Sequence, residues 1–221
     1  METTIGELTV ADVAMKYPQS IGILNRYFID YCCGGTKSFT EACVAAGQDS
    51  DAVWDEIMTT RSGGAAVDFE KWTAGLLADY IVEQHHHYVK EAIPVLTALL
   101  DKVSKVHGAD HPELMEIKMK FQVLAEELLQ HMFKEERVLF PAIKGKSELS
   151  LQAPVKVMEE EHELAGNLIK EIRSLSGNYT CPDGVCITYR ATYQQLQLFE
   201  EDLMQHVHLE NNILFRKISH N

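Results

Sequence analysis

The feature that most constrains this chain is a ten-residue pattern that occurs twice in its second half. The segments His131–Phe140 and His206–Phe215 both read H-x-x-x-E-x-x-x-L-F. Residues four apart lie on one face of an α-helix, so each histidine and glutamate can point at the same neighbour. The Leu-Phe pair follows at the same offset in both copies. The pattern therefore predicts two helices that present the same ligand pair to one interior.

Apolar periodicity places these two copies on the second and fourth of four long helices. Breaks that contain glycine or proline at 108–112, 145–154 and 177–184 separate the helices. Pro94 should kink the first helix or mark a local adjustment. Four helices with modest connections are typical of an antiparallel four-helix bundle, so an all-α fold is predicted. The helices are predicted at about 71–105, 112–143, from 154 to 175, and 188–217.

The N-terminal part is predicted to be a separate, small helical domain at 1–60. Helical spacing of apolar residues covers 10–17, 21–28 and 39–58. The sequence D-Y-C-C-G-G at 30–35 interrupts these patterns, and its paired glycines mark a turn. Residues 61–70 are predicted to be a linker, which leaves 71–221 for the bundle.

Composition disfavours several classes of protein. A formal net charge of −13 opposes binding to nucleic acid or to an anionic membrane. No stretch approaches the roughly 20 continuous apolar residues of a membrane span, and the N-terminus does not resemble a secretion signal. Five cysteines, with Cys32 next to Cys33, fit a reducing compartment better than a disulfide framework. A cytoplasmic protein is therefore predicted.

Histidines on the other two helices extend the ligand set. The third helix carries His162, and the first carries the triplet at 85–87, in which only one or two side chains can face inward. Imidazole nitrogen together with carboxylate oxygen suits iron or manganese better than a soft metal. Two carboxylates can bridge a pair of metals and leave two imidazoles on each, which indicates a dinuclear centre. Solvated side chains are the usual outcome for His107, His111, His208 and His220, which lie near helix ends or beside a ligand.

Other ligand schemes use parts of the same pattern. Ferritin-like carboxylate proteins use E-x-x-H pairs, and this scheme would leave His131 and His206 without a role. Reversible oxygen carriage, as in hemerythrin, would require a second histidine four residues after His162, where this chain has Gly166. In the ferritin-like scheme, the E-x-x-H pairs would be Glu83–His86 and Glu159–His162, and Glu135 and Glu210 would be the remaining carboxylates.

Four segments, taken in order, carry a resemblance to a known family. They are D-Y-C-C-G-G at 30–35, H-M-F-K-E-E at 131–136, E-H-E-L-A-G at 161–166 and H-V-H-L-E-N-N at 206–212. The chain resembles the Repair of Iron Centres family, bacterial di-iron proteins linked to recovery of iron–sulfur clusters after nitrosative and oxidative stress. The resemblance covers nearly the whole chain and implies a hemerythrin-like bundle. The implied metal ligands are His86, His131, Glu135, His162, His206 and Glu210, with Glu135 and Glu210 bridging.

The resemblance also implies a function. Two non-haem irons per chain, oxo-bridged when oxidised, would bind nitric oxide or oxygen, and damaged iron–sulfur proteins would be the partners. Reduction of NO to N2O would make the chain an oxidoreductase. The alternative is a non-catalytic iron donor, or an NO or redox sensor, that docks with client iron–sulfur proteins. Cys32 and Cys33 would then exchange NO, electrons or iron as thiols.

Three further residues are predicted to lie around the ligands rather than among them. Glu127 lies one turn before His131, Glu161 directly precedes a ligand, and His107 ends the first predicted helix. A bond or thiol pair between Cys181 and Cys186 is compatible with their spacing, and a homodimer is compatible with the apolar helix faces.

Overall fold

A computed structural model describes residues 8–60, 67–146 and 151–219. Helices dominate these residues, and their only β-type pairing is an isolated bridge between Thr9 and Ser38. The all-α prediction is therefore confirmed. Residues 61–66 of the predicted linker and 147–150 of the predicted turn at 145–154 lie outside the described residues. In the described part, no helix is both long enough and apolar enough to cross a membrane.

The chain divides into two compact units, Met1–Thr73 with Met204–Asn221, and Ala74–Leu203. The C-terminal residues, which the sequence assigns to the bundle at 71–221, thus belong to the same unit as the N-terminal helices. Fold assignment from periodicity does not reveal this, because periodicity identifies a helix but not the neighbours it packs against.

Four short helices open the first unit: α1 (Val10–Lys16), α2 (Ser20–Arg26), α3 (Phe39–Ala45) and α4 (Ser50–Thr59). Thr9 and Ser38 start α1 and α3 in capping boxes, where each side chain accepts a hydrogen bond from the backbone of the third helical residue. The single helical pattern predicted at 39–58 is two helices. The reason is local: Gly47 turns the chain at a φ of 71°, and the side chain of Asp49 caps α4.

Long helices form the second unit. They are α5 (Ala74–Ile81), α6 (His87–His107), α7 (Glu113–Lys134), α8 (Gln152–Leu175) and α9 (Ile187–His208), whose residues up to Leu203 belong here. Helix α7 packs against both α6 and α8. Pro94 lies inside α6, which continues past it to its last residue.

Aromatic and charged contacts bind α9 to the other helices of the bundle. Phe199 of α9 meets Phe121 of α7 edge-on at 5.5 Å between ring centroids and Tyr88 of α6 at 6.4 Å. The next residue, Glu200, accepts a 2.7 Å hydrogen bond from Arg173 of α8. These contacts fix the rotation of the part of α9 that ends at Leu203 about the helix axis.

Long helices in both units contain π-helical turns, in which the backbone bonds from i to i+5. The segment Val82–His86 joins α5 to α6, Glu135–Leu139 follows α7, and Leu209–Leu214 joins α9 to α10 (Phe215–Ser219). Each such turn holds one residue more than an α-turn, so side chains before and after it no longer follow one 3.6-residue period. Turns of this kind occur frequently at functional sites.

The D-Y-C-C-G-G loop packs closely against residues of its own unit at Gly35. A Cβ atom built on this glycine would lie 2.9 Å from Asn212 Oδ1, 2.9 Å from the Tyr31 carbonyl oxygen and 3.0 Å from Ala11 Cβ. Two of these three neighbours are fixed by the backbone, so only a residue without a side chain fits. The second glycine of the motif is thus required by packing.

We expect Gly35→Ala to lower the free energy of unfolding by about 1–3 kcal/mol, because the extra methyl group overpacks this contact. Gly22→Ala is the matched control. Gly22 lies in α2, and a Cβ atom added to it would have nothing within 4 Å, so helix propensity should stabilise that variant by up to about 1 kcal/mol. Urea unfolding followed by circular dichroism measures both. Equal stability of the two variants would contradict the packing argument.

Candidate metal centre

Two of the π-helical turns in the chain place a predicted ligand at their first or last residue. His86 is the last residue of Val82–His86, and Glu135 is the first residue of Glu135–Leu139. Glu210 lies within the third turn, Leu209–Leu214. The local break in helical period therefore coincides with the positions that the duplicated pattern and the resemblance indicate.

Within the bundle unit, four predicted ligands converge. One oxygen of Glu135, Oε2, lies 3.3 Å from His86 Nε2 and 3.3 Å from His131 Nε2. His162 Nε2 lies 2.9 Å from His131 Nε2. All four residues are buried, at 0–3% exposure. The structure thus brings together side chains from the α5–α6 junction, α7 and its π-turn, and α8.

The other ring nitrogen of His86 is held by a carboxylate. His86 Nδ1 lies 2.9 Å from Glu136 Oε1, which also accepts a 2.6 Å hydrogen bond from Lys90 Nζ. Burial favours a higher pKa for Glu136, but the hydrogen bonds from Lys90 and His86 outweigh it and lower the pKa. A charged carboxylate at this position keeps the proton of the imidazole on Nδ1, so that the lone pair of Nε2 faces Glu135.

His131 has the same arrangement with a different carboxylate. Its Nδ1 lies 2.9 Å from Glu161 Oε2, and Lys134 forms an ion pair with the other oxygen of Glu161. The hydrogen bond from His131, followed by that from Lys134, lowers the pKa of Glu161 to about 2. Glu161 is therefore ionised at neutral pH and orients the imidazole, as outer carboxylates do for metal-binding histidines.

The second copy of the duplicated pattern lies in the first unit. His206 Nε2 is 3.2 Å from Glu210 Oε1, across the junction of α9 with its π-turn, and the two residues are 1% and 0% exposed. The first copy has its histidine and glutamate 3.3 Å apart. The histidine and the glutamate are therefore nearly the same distance apart in the two H-x-x-x-E pairs.

The donor set fits a metal ion of the iron or manganese class. Two ligand atoms about 2.1 Å from one ion and at right angles to each other are about 3.0 Å apart. The 2.9 Å between His131 and His162 and the 3.3 Å between each imidazole and Glu135 match neighbouring positions on such an ion. Nitrogen and carboxylate oxygen without a thiolate are the donors that iron and manganese accept. A cation would also give the buried carboxylate of Glu135 a charged partner.

The carboxylates of the two ligand schemes differ in exposure. Glu83 and Glu159, the carboxylates of the E-x-x-H pairs, are both exposed, which places them outside the buried cluster. The other histidines of the triplet also differ from His86. His85 is buried and bonds to Asp202 at 2.9 Å, whereas His87 is exposed beside Glu91.

The three residues predicted to lie around the metal ligands differ in their distance from them. Glu161 contacts His131, as described above. Glu127 is half-buried one turn before His131 on α7, and its role stays a prediction. His107 lies at the far end of α6 from His86, where its Nε2 is 3.2 Å from the sulfur of Cys186. A position beside the ligands is therefore wrong for His107, because about 20 residues of α-helix separate the two histidines by roughly 30 Å.

Sequence reasoning missed Glu136, although it directly follows a predicted ligand. On a regular helix, adjacent residues point about 100° apart, so nothing in the pattern indicates that Glu136 supports His86. The π-turn that begins at Glu135 changes the side-chain directions at this point. Its position directly after Glu135 was the one available signal.

The expectation of a solvated side chain is wrong for His208. It is 2% exposed, and its Nδ1 lies 3.2 Å from the carbonyl oxygen of Tyr31, within the first unit. Burial lowers its pKa to about 4, so the imidazole is neutral at pH 7. Asn212, one turn later, donates to the carbonyl oxygens of Tyr31 and Cys32 at 3.3 and 3.2 Å. The C-terminal segment thus holds the cysteine loop.

Asp30 organises the two cysteines of that loop. Its Oδ1 accepts hydrogen bonds from the backbone of Cys32 at 3.2 Å and of Gly34 at 3.1 Å, and from the Cys32 thiol at 3.3 Å. The sulfurs of Cys32 and Cys33 are 3.8 Å apart. The hydrogen bond with Cys33, and then burial, raise the pKa of Cys32 well above its usual value. Cys32 is therefore a protonated thiol at neutral pH, and Cys33 is the more exposed of the two.

Comparison with known protein families gives two matches that together cover most of the chain. Residues 77–218 match the hemerythrin HHE cation binding domain, and residues 6–61 match a domain of unknown function, DUF542. The first match contains all the predicted metal ligands, and the second contains the cysteine loop.

Curated proteins are similar over nearly the full length. The iron–sulfur cluster repair protein YtfE of Yersinia pseudotuberculosis serotype IB (strain PB1/+) is 32% identical over 204 residues, which is 92% of each chain. The iron–sulfur cluster repair protein YtfE of Escherichia coli O81 (strain ED1a) is 34% identical over 207 residues, 93% of this chain and 94% of the relative.

Proposed function

This chain belongs to the family of iron–sulfur cluster repair proteins that join a DUF542 domain to a hemerythrin HHE domain, and we propose that it repairs damaged clusters through a di-iron centre. Glu135 and Glu210 would supply the carboxylate ligands of the two irons, and the four histidines would supply the imidazole ligands. The proposed ligand set is His86, His131, Glu135, His162, His206 and Glu210.

One observation carries the proposal: a single buried carboxylate lies between imidazoles of two different helices. Glu135 Oε2 is 3.3 Å from the Nε2 atoms of both His86 and His131. A carboxylate that served only one histidine would not need this central position. The equally buried His206–Glu210 pair supplies a second copy of the same histidine–glutamate pattern.

The proposed reaction is reduction of nitric oxide to N2O during recovery from nitrosative stress. When bound, the two ferrous irons would supply the electrons and the open coordination positions for NO. The protein residues hold and orient the ligands. Glu136 and Glu161 keep the proton of each imidazole on Nδ1, and the apolar surroundings of the buried cluster exclude water.

The cysteine loop is proposed to be the part that meets client proteins. Cys33 is the accessible thiol, and Cys32 is its hydrogen-bonding neighbour at 3.8 Å. Asp30 fixes both through the loop backbone. Exchange of NO, electrons or iron at this thiol would take place in the cytoplasm, where thiols stay reduced.

The deciding experiment follows NO consumption and N2O formation by anaerobic, iron-loaded protein with an electron donor. Repeated turnover supports the proposed reaction. Transfer of iron to an apo iron–sulfur protein without N2O formation would instead favour the iron-donor function. Elemental analysis of the same sample establishes the metal. Zinc, or no metal after anaerobic reconstitution with iron, would contradict the di-iron centre.

We expect Glu161→Gln to weaken iron binding by about 10–100-fold, because the amide no longer provides the negative charge that orients His131. Competition with a coloured chelator measures the affinity. Glu160→Gln is the matched control, since Glu160 is exposed and pairs only loosely with Lys156 at 3.9 Å. If both variants bind iron equally well, Glu161 has no role in the centre.

A further inference from the structure

A cysteine–histidine pair lies at the end of the bundle unit remote from the His86 cluster. Cys186 immediately precedes α9, and its sulfur is 3.2 Å from Nε2 of His107, the last residue of α6. The thiol is exposed. The Tyr189 ring packs edge-on against His107 at 5.6 Å and against His111 at 5.5 Å.

A second thiol lies on the same loop. Cys181 is half-buried and interacts electrostatically with Tyr189 and Tyr193 of α9. Between the two cysteines, the chain turns at 183–184, where Gly184 has a φ of 78°. A tight turn places the residues on its two sides next to each other. Cys186 lies beside the same tyrosine, because the backbone N–H of Tyr189 donates a hydrogen bond to its sulfur, so the loop brings both thiols to Tyr189.

This group is not a second metal site. In the described part of the chain, three or more ligand atoms converge only among the predicted iron ligands. Glu113, which lies 3.1 Å from His111 and 3.5 Å from the Tyr189 hydroxyl, is held by those two groups. What the loop offers is a pair of thiols, one of them in contact with an imidazole.

We propose that Cys186 and Cys181 form a thiol–disulfide exchange pair that reacts with the disulfide of a small thiol. The Cys186 thiolate attacks one sulfur of the small disulfide, its S–S bond breaks, and one thiolate leaves. Cys181 then gives up its proton and attacks the Cys186 sulfur, which expels the second small thiolate. In sum, two protein thiols become one disulfide, and the small disulfide gains two electrons and two protons as two thiols.

The two cysteines differ in the way that such a pair requires. Hydrogen bonds from the Tyr189 backbone and then from His107 lower the pKa of Cys186 to about 7. Burial raises the pKa of Cys181, although the charge of Arg190 opposes this. Cys186 is therefore the attacking thiolate at neutral pH, and Cys181 remains protonated until it resolves the mixed disulfide.

The expected rate advantage is moderate. Lowering the pKa from 9.0 to about 7 raises the thiolate fraction at pH 7 about fiftyfold. A thiolate of lower pKa is also a weaker nucleophile, here by about tenfold. The net expectation is that Cys186 reacts about fivefold faster in the native protein than in the urea-unfolded chain at pH 7.

The test uses the full-length, iron-loaded, reduced protein with oxidised glutathione at pH 7, followed by tryptic mass spectrometry. Both cysteines lie on one tryptic peptide, 174–190, separate from the other three cysteines of the chain. We expect this peptide to lose two hydrogens as the disulfide forms. In Cys181→Ser, one glutathione should instead remain attached to Cys186. Buried Cys43, whose pKa is about 11, serves as the unreactive internal reference.

Two results would overturn the pair. A stable glutathione adduct on Cys186 in the unaltered protein would show that Cys181 does not resolve it. Equally fast reaction of Cys181 in a Cys186→Ser variant would show that Cys186 is not the attacking group. Iron content and N2O formation are separate readouts, so the proposal stands or falls independently of the proposed function.

The role of His107 has its own readout. In His107→Leu, the pH midpoint for alkylation of Cys186 by iodoacetamide should move upward, since one of the hydrogen bonds to the thiolate is lost. The other charged groups near the loop, Glu113 and Arg190, are unchanged in this variant. An unmoved midpoint would mean that His107 only packs against the sulfur.

Discussion

Replacing His131 by alanine is expected to reduce the metal content from the proposed two irons per chain to about one or fewer. His131 contacts two other ligands, with its Nε2 at 3.3 Å from Glu135 and 2.9 Å from His162. Its loss removes a nitrogen donor and leaves Glu135 to hold the ion with fewer partners. Elemental analysis after anaerobic reconstitution measures the effect, together with the visible absorption spectrum.

His87→Ala is the matched control for this variant. His87 belongs to the histidine triplet, yet its side chain is 69% exposed and faces Glu91. Its removal should leave both metal content and spectrum unchanged. Circular dichroism of both variants separates loss of metal from loss of fold. A His131→Ala protein with a full complement of iron would refute the ligand assignment.

The second large effect concerns stability. We expect Phe121→Ala to lower the free energy of unfolding by about 3–5 kcal/mol, because it removes a large side chain from a close-packed interior. Phe121 is fully buried on α7 and meets Phe199 of α9 edge-on at 5.5 Å. The cavity would lie between two helices that the bundle cannot easily bring closer.

Phe133, on the same helix, provides the comparison. It is 63% exposed, so Phe133→Ala should change the free energy of unfolding by no more than about 0.5 kcal/mol. Urea unfolding of both variants at equal iron loading gives the two values. A small loss for Phe121→Ala would mean that α7 and α9 repack without it.

The sequence was sufficient for features that depend on one helix at a time. The H-x-x-x-E pairs are such a feature, because residues four apart share a face in any α-helix. The four long helices follow from periodicity, and glycine explains most of their ends. The split of the predicted helix at 39–58 shows the limit. Gly47 could be tolerated within a helix, and only its φ of 71° shows that it ends one.

Features that depend on contacts between distant residues were not predictable. His107 and Cys186 are 79 positions apart in sequence, and no local pattern relates them. His208 was expected in solvent, because its neighbours along the chain do not show that the carbonyl of Tyr31 will meet it. The place of Glu136 beside His86 depends on how α6 and α7 pack. Each of these is a tertiary contact that sequence spacing cannot encode.

The π-turns make helix length part of the ligand geometry. Each is equivalent to one inserted residue in an otherwise regular helix. Deleting one residue within Val82–His86 would give a more regular helix but turn the following side chains by about 100° relative to those before the deletion. A regular helix at this position would therefore point the ligand side chains in the wrong directions. A gap of a single residue in an alignment of this region would have the same meaning, since it would separate chains that can form the centre from chains that have only its sequence motif.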